Sequence, residues 1–180
     1  TAEVNGVGGR NQELALAAAI ALDKTAQITA AHSARLPVPE TLVWDGTRAA
    51  QPQIPRFPAI AKPGLALGER AGKLCKGDAY YLATLQDAEA FFASADPRDA
   101  PWIIQPLIQG RGEGVFGFVS DTGEVNAWSG HYRVRMMNPH GSGASACARQ
   151  MPEENLRQQI TDFLTQIDWR GPFMMEFLRD

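Results

Sequence analysis

The stretch that most constrains this chain is Trp102 to Glu113, read as Trp-Ile-Ile-Gln-Pro-Leu-Ile-Gln-Gly-Arg-Gly-Glu. Trp102-Ile103-Ile104 is an apolar run of the kind that forms a buried strand. Pro106 has no N–H to give to a sheet ladder, so the strand ends there or lies at an edge. Leu107 and Ile108 connect onward, Gly110-Arg111-Gly112 turns the chain, and Val115 to Val119 reads as the next strand. Two readings fit. One is an ordinary hairpin with a Gly-rich loop. The other is a nucleotide clamp, in which the C=O of Gln105 and the N–H of Leu107 face the edge of a base and Glu113 accepts two ribose hydroxyls.

A chain of 180 residues can build one core or two small lobes. Its net charge of −3 makes no electrostatic case for nucleic acid or an anionic membrane. The longest apolar run, Leu14 to Leu22, falls far short of the roughly 20 residues that cross a bilayer. Cys75 and Cys147 are distant in sequence and have no metal-ligand spacing, which suits a reducing compartment and a cytoplasmic protein. His32, His131 and His140 form no metal-binding pair at helical spacing. The lysines are Lys24, Lys62, Lys73 and Lys76, few enough that each needs a reason. The chain starts at Thr1 and stops at Asp180, just after a strand-like run, so the expectation is a fragment of a longer protein.

In chain order, Gly6, Gly8 and Gly9 precede Asn11 and an Ala-rich helix over 12–22. A Gly-rich loop before a helix N-terminus is either an anion site or merely a capped core helix. Asp23-Lys24 opens a helix to about Arg35, followed by Leu36-Pro-Val-Pro-Glu-Thr41 and a strand Leu42-Val43-Trp44. Ala59 to Pro63 is a strand ending in Lys62. The glycines at 64, 68, 72 and 77, with Lys73 and Lys76, suggest a mobile basic loop. A strand over 79–83 precedes a helix from Leu85 to Ser94, with Thr84 as its N-cap and Asp87 in its first turn. Beyond the opening stretch, Asp121-Thr122-Gly123 turns into a strand over 124–128. His131, Arg133 and Arg135 then share one strand face by alternation. The small-residue loop over 138–145, with His140 and Ser145, has enough free N–H groups to nest a phosphate. An amphipathic helix runs to about Ile167, and Gly171-Pro172 leads into a last strand, Phe173 to Leu178. There Glu176 interrupts an apolar run, where an ionised carboxylate needs a partner.

This order resembles the ATP-grasp superfamily, in particular the ATP-binding domains of carbamoyl-phosphate-synthase-like enzymes and carboxylate–amine ligases. The resemblance runs from about Asp23 to Asp180. It implies an α+β fold of two mainly antiparallel lobes, 23–100 and 101–180, with ATP between them and 1–22 as the remnant of a preceding domain. It implies that Lys62, Lys73 and Lys76 neutralise the phosphates. Gln105 and Leu107 would hold adenine, Glu113 the ribose, and the loop with His140 and Ser145 the phosphates. Arg133 and Arg135 would bind the transferring phosphoryl group or the acceptor, and Glu176 would be the first Mg²⁺ carboxylate. The reaction implied is activation of a small-molecule carboxylate as an acyl phosphate, then attack by an amine or similar nucleophile, in an enzyme incomplete in this fragment. Glu113 lies about one residue farther from the hinge than in carbamoyl-phosphate-synthase-like members, and Gln105 stands where a Glu is commoner. Two departures stand out: the family's second metal strand would lie beyond Asp180, and the lobe preceding the nucleotide site is reduced to some twenty residues or replaced by a glycerate-kinase-like segment. Val7 to Ala19 separately resembles a segment of the MOFRL-type glycerate kinases, which keeps open a kinase-like fragment. An inactive nucleotide-binding or interaction module is the remaining alternative. Oligomeric state, acceptor and nucleophile are not legible.

Overall fold

The computed structural model describes residues 20–137 and 144–179, the side chain of Met136 excepted. The expected loop over 138–143, with His140, the glycerate-kinase-like segment and the Gly-rich N-terminus lie outside the described residues. The described residues divide into two compact units, one of 20–29 and 37–107, the other of 30–36, 108–137 and 144–179.

The first unit is a four-stranded sheet with the order β1 (Leu42–Trp44), β6 (Trp102–Pro106), β2 (Ala59–Pro63), β5 (Tyr80–Leu82). Every pairing is antiparallel. Alternation along β2 and β6 sends Ala59, Ala61, Trp102 and Ile104 to one face, where they meet Trp44, Leu82 and the buried side of helix α2 (Leu85–Ser94). The core is aromatic: Trp44 meets Phe92 edge to face at 4.9 Å between centroids, and Trp102 meets Phe91 at 5.0 Å. Alanines at 59, 61 and 88 leave room for those rings. Thr84 caps α2 as expected, in a capping box with Asp87. Helix α1 (Lys24–Ser33) begins on Asp23, whose Oδ1 accepts from the N–H groups of Thr25 and Ala26. The boundary between the two units falls within this helix.

The expected mobile loop after Lys62 is in fact a small hairpin, β3 (Gly68–Arg70) and β4 (Lys73–Cys75). Ala71 and Gly72 turn it with positive φ. Arg70 pins it, donating to Asp96 at 2.9 Å and to both Asp99 oxygens at 2.6 Å. Composition marked the turn correctly, but an ion pair 26 to 29 residues away in sequence orders it.

The second unit is a four-stranded antiparallel sheet with the order β10 (Gly171–Arg179), β7 (Arg111–Val119), β8 (Val125–Met136), β9 (Ala144–Arg149). On its core face Val115, Val119 and Phe173 are buried, as are Ile160, Phe163 and Leu164 of helix α3 (Glu154–Gln166). β8 is one long strand where two were expected. Gly130 lies inside it because a Cβ there would come 2.6 Å from the Gln150 carbonyl.

The hairpin reading of Trp102 to Glu113 fails. β6 and β7 do not pair; they belong to different sheets. The chain leaves one unit and enters the other between Leu107 and Ile108, so β6 belongs with the first unit.

Candidate functional site

In the first unit, the sheet face opposite the aromatic core carries Val43, Ile103, Gln105, Ile60, Lys62 and Tyr81, by the registers Val43↔Ile103, Ile103↔Lys62, Gln105↔Ile60 and Ile60↔Tyr81. Lys62 is the charged group on this otherwise largely apolar face. Burial holds its ammonium below the usual lysine value of 10.5, and no nearby carboxylate offsets the shift. Lys24 is lowered too, first by burial, then by Lys62 and Lys76, with Asp23 opposing. Its Nζ donates to the Pro63 carbonyl at 2.9 Å. Lys62 and Lys76 thus both lie within electrostatic reach of Lys24 near the end of β2. Among the described residues, none of the three is in an ion pair with a carboxylate. Sequence reading chose Lys62 and Lys76 but took Lys24 only as the start of a helix. Its proximity to Pro63 depends on the loop after β2 doubling back, with Lys24 N–H bonded to Gly64 O and Gly64 N–H to Pro101 O. Lys73 is exposed on the hairpin.

The hinge differs from expectation. The Leu107 N–H is not free to face a base, because it donates to the Pro58 carbonyl at 2.9 Å. The β2–β6 register continues the ladder one step past Pro106, and this register is invisible in the sequence. The Gln105 side chain donates to the Thr41 hydroxyl at 2.9 Å.

In the second unit the register sorts the expected residues by face. Across the sheet, Glu176 of β10, Gly114 of β7, His131 of β8 and Arg149 of β9 form one row. The adjacent row is Leu178, Gly112, Arg133 and Cys147 on the same face. The two glycines make room. A Cβ on Gly112 would lie 2.4 Å from Arg133 Cδ, and one on Gly114 would lie 2.4 Å from the His131 ring. Arg133 lies over this glycine floor, its side chain only 5 % exposed, and its guanidinium donates to Glu176, which stays 58 % exposed. Arginine and glutamate, expected to act in one site, are therefore in contact. Past Arg133 the ladder is irregular. Arg135 and Ser145 are exposed there, so the regular face shared by His131, Arg133 and Arg135 does not persist.

Glu113 is set apart. It pairs with Phe177 and Tyr132, one residue out of phase with Gly114 and Glu176, and so points to the opposite face. It is 4 % exposed and held by Arg111 at 2.5 Å and Arg179 at 3.0 Å. Arg111 also covers the Tyr132 ring at 4.5 Å. One step along a strand reverses the face. Position 112 is the one that meets the Glu176 side, and it holds a glycine. Glu113 is not placed to share a ribose with the Arg133–Glu176 row.

Three acidic, histidine or cysteine groups suited to a metal do not come together among the described residues. Glu176 is one exposed carboxylate already shared with Arg133. It can supply one oxygen to a magnesium ion, which is commonly held by one or two carboxylates plus phosphate oxygens. It is not a protein-built metal site.

No family model and no curated protein sequence matches the chain. Solved structures do. An L-amino acid ligase from Bacillus licheniformis aligns over 92 % of this chain with a TM-score of 0.63 at 14 % identity. D-alanine–D-alanine ligase from Bacillus anthracis, complexed with ATP, aligns over 92 % with a TM-score of 0.63 at 10 % identity. The ATP-grasp ligase PsnB, complexed with minimal precursor, aligns over 90 % with a TM-score of 0.56 at 19 % identity. The fold is that of the ATP-grasp ligases. The chain spans 38 %, 54 % and 48 % of those three proteins, respectively. The ATP-grasp fold accounts for the pair of antiparallel sheets. No helix among the described residues is long and apolar enough to cross a membrane.

Proposed function

We propose that this chain is the ATP-binding portion of a ligase that activates a small-molecule carboxylate as an acyl phosphate and passes the acyl group to an amine. The observation that carries the reading is the lysine group at the end of β2: Lys62 is buried without a carboxylate partner, and Lys62 and Lys76 lie near enough to Lys24 to depress it further, against the opposing pull of Asp23. A fold that keeps cations together at such a cost gains from a polyanion that neutralises them. A nucleotide triphosphate suits that charge, and similarity to an ATP-bound ligase supports it.

In this mechanism Lys62, Lys24 and Lys76 bind phosphate oxygens, and Lys73 on the hairpin approaches the same charge. Arg70 holds the hairpin while this occurs. A carboxylate oxygen of the acceptor attacks the γ-phosphorus, the bond to the β,γ-bridging oxygen breaks, and ADP leaves. The amine then attacks the acyl carbon, inorganic phosphate departs, and the amine loses a proton. Phosphoryl transfer of this kind needs placement and charge neutralisation more than a base. Arg133 supplies a forked donor to the acceptor or the transferring group. Magnesium, when bound, would neutralise the phosphates, and Glu176 would hold it in part.

Calorimetric titration with ATP, with and without Mg²⁺, tests this. Saturable binding is expected, at least tenfold weaker in Lys62→Ala and in Lys24→Ala. Equal affinity in both variants and the parent chain would overturn the reading.

A further inference from the structure

One step along the strands from the Glu176 row, the same sheet face changes from charged to apolar. Met174 pairs with Phe116, and Pro172 with Phe118, so these side chains project on the side of Glu176, His131 and Arg133. Phe116 is 37 % exposed, Phe118 47 % and Met174 57 %. The opposite face of the same strands is the core, so these residues are not spare core positions. The Phe116 ring lies 6.1 Å from the His131 ring. Polar groups therefore border an apolar floor without a gap: His131 and the cationic Arg149 in one row, Phe116 and Met174 in the next. The neighbouring rows along β8 hold Ser129 and Ala127, which add one hydroxyl and no charge.

We infer that this floor is the acceptor subsite, and that the acceptor is a carboxylic acid carrying an aliphatic or aromatic side chain. The inference rests on the ligase reading and names its substrate class. The carboxylate is met by His131 and Arg149 in the row that Glu176 closes at its other end. The side chain covers Phe116, Met174 and Phe118. Exposed aromatic and thioether surface gains from such a cover. An acceptor with a second carboxylate, or with several hydroxyls, would leave those groups on the apolar floor without partners. The glycines extend the argument. Gly114 lets His131 lie close to the sheet, which keeps the floor open at the height of the Phe116 ring.

The test uses the chain with ¹³C-methyl methionine, the Met174 signal being assigned by Met174→Leu. The probes are 3-phenylpropionate and 4-methylpentanoate against acetate and succinate. The apolar acids are expected to shift the Met174 methyl saturably, with dissociation constants at least tenfold below those of acetate and succinate. Phe116→Ser, an exposed position, is expected to weaken 3-phenylpropionate at least fivefold and leave ATP affinity unchanged. Arg149→Gln is expected to weaken all four acids together. Equal shifts from the four acids, or none, overturn the inference. So does a Met174 signal that moves on dilution of the protein alone, since a second copy of the chain then covers the floor. ATP titration of the same samples separates the two ideas. Loss of ATP binding with the acid preference intact refutes the ligase reading and keeps the apolar subsite. ATP binding without acid preference does the reverse.

Discussion

The two sheets treat charge in opposite ways. The first leaves Lys24, Lys62 and Lys76 in no ion pair with a carboxylate among the described residues, though Asp23 lies near Lys24, and Lys62 is desolvated. The second gives its buried cation a partner in place: Arg133 is laid over Gly112 and joined to Glu176. Lysine is a compact point charge whose pKa yields to burial, whereas arginine stays charged and binds through a planar fork. One sheet therefore carries cations without an ion-pair partner, and the other carries a buried cation already paired. A desolvated lysine such as Lys62, without an ion-pair partner, costs stability in the free protein. A matched pair over a glycine floor costs little but demands close packing.

The glycine floor is where that contrast breaks most sharply. Gly114→Val forces a side chain into the His131 ring, and a loss of about 2–3 kcal/mol is expected by urea unfolding, as for other overpacked sites. Glu176→Ala removes the carboxylate opposite Arg133. Roughly 3–5 kcal/mol is usual when one member of a fully buried pair is removed, but Glu176 is largely exposed, so about 1–2 kcal/mol is expected. The first sheet should respond with the opposite sign. Lys62→Met is expected to stabilise the free protein by about 1 kcal/mol, within the range of ordinary stabilising substitutions, while weakening ATP.

The pH dependence sharpens this. Lys62 and Lys24 have folded-state values below 10.5, so protonation favours the unfolded chain. The penalty is fully present below those folded-state values and fades as pH rises through them toward 10.5. Unfolding midpoints followed over that window should rise with pH through this contribution, and Lys62→Met should flatten the rise. An identical pH profile in the variant would refute the desolvated-lysine account. The smallest effect concerns the hairpin. Arg70→Met should speed amide exchange over 68–76 about tenfold with little change in global stability, and Arg70→Lys should recover part of the protection. Unchanged exchange would mean that the hairpin is ordered without its ion pairs to Asp96 and Asp99.

Much of the architecture was legible because local chemistry dictated it. Thr84 and Asp87 announced a helix start, Pro106 closed a strand, and the run over 59–63 read as the strand that carries Lys62. Their order along the chain was enough to indicate an ATP-grasp fold, which the structure has. Register was not legible. Pro58 takes the Leu107 N–H, and Glu113 faces away from Glu176 because pairing partners fix the face, and a single-residue step reverses it. Nor could the sequence show that Trp102 to Glu113 crosses between sheets, that Arg70 reaches Asp96 and Asp99, or that Lys24 returns to the end of β2. Periodicity and capping are properties of a few adjacent residues, so the sequence by itself determined the elements. Which side chains meet across strands depends on contacts distant along the chain, and only the tertiary structure decided those.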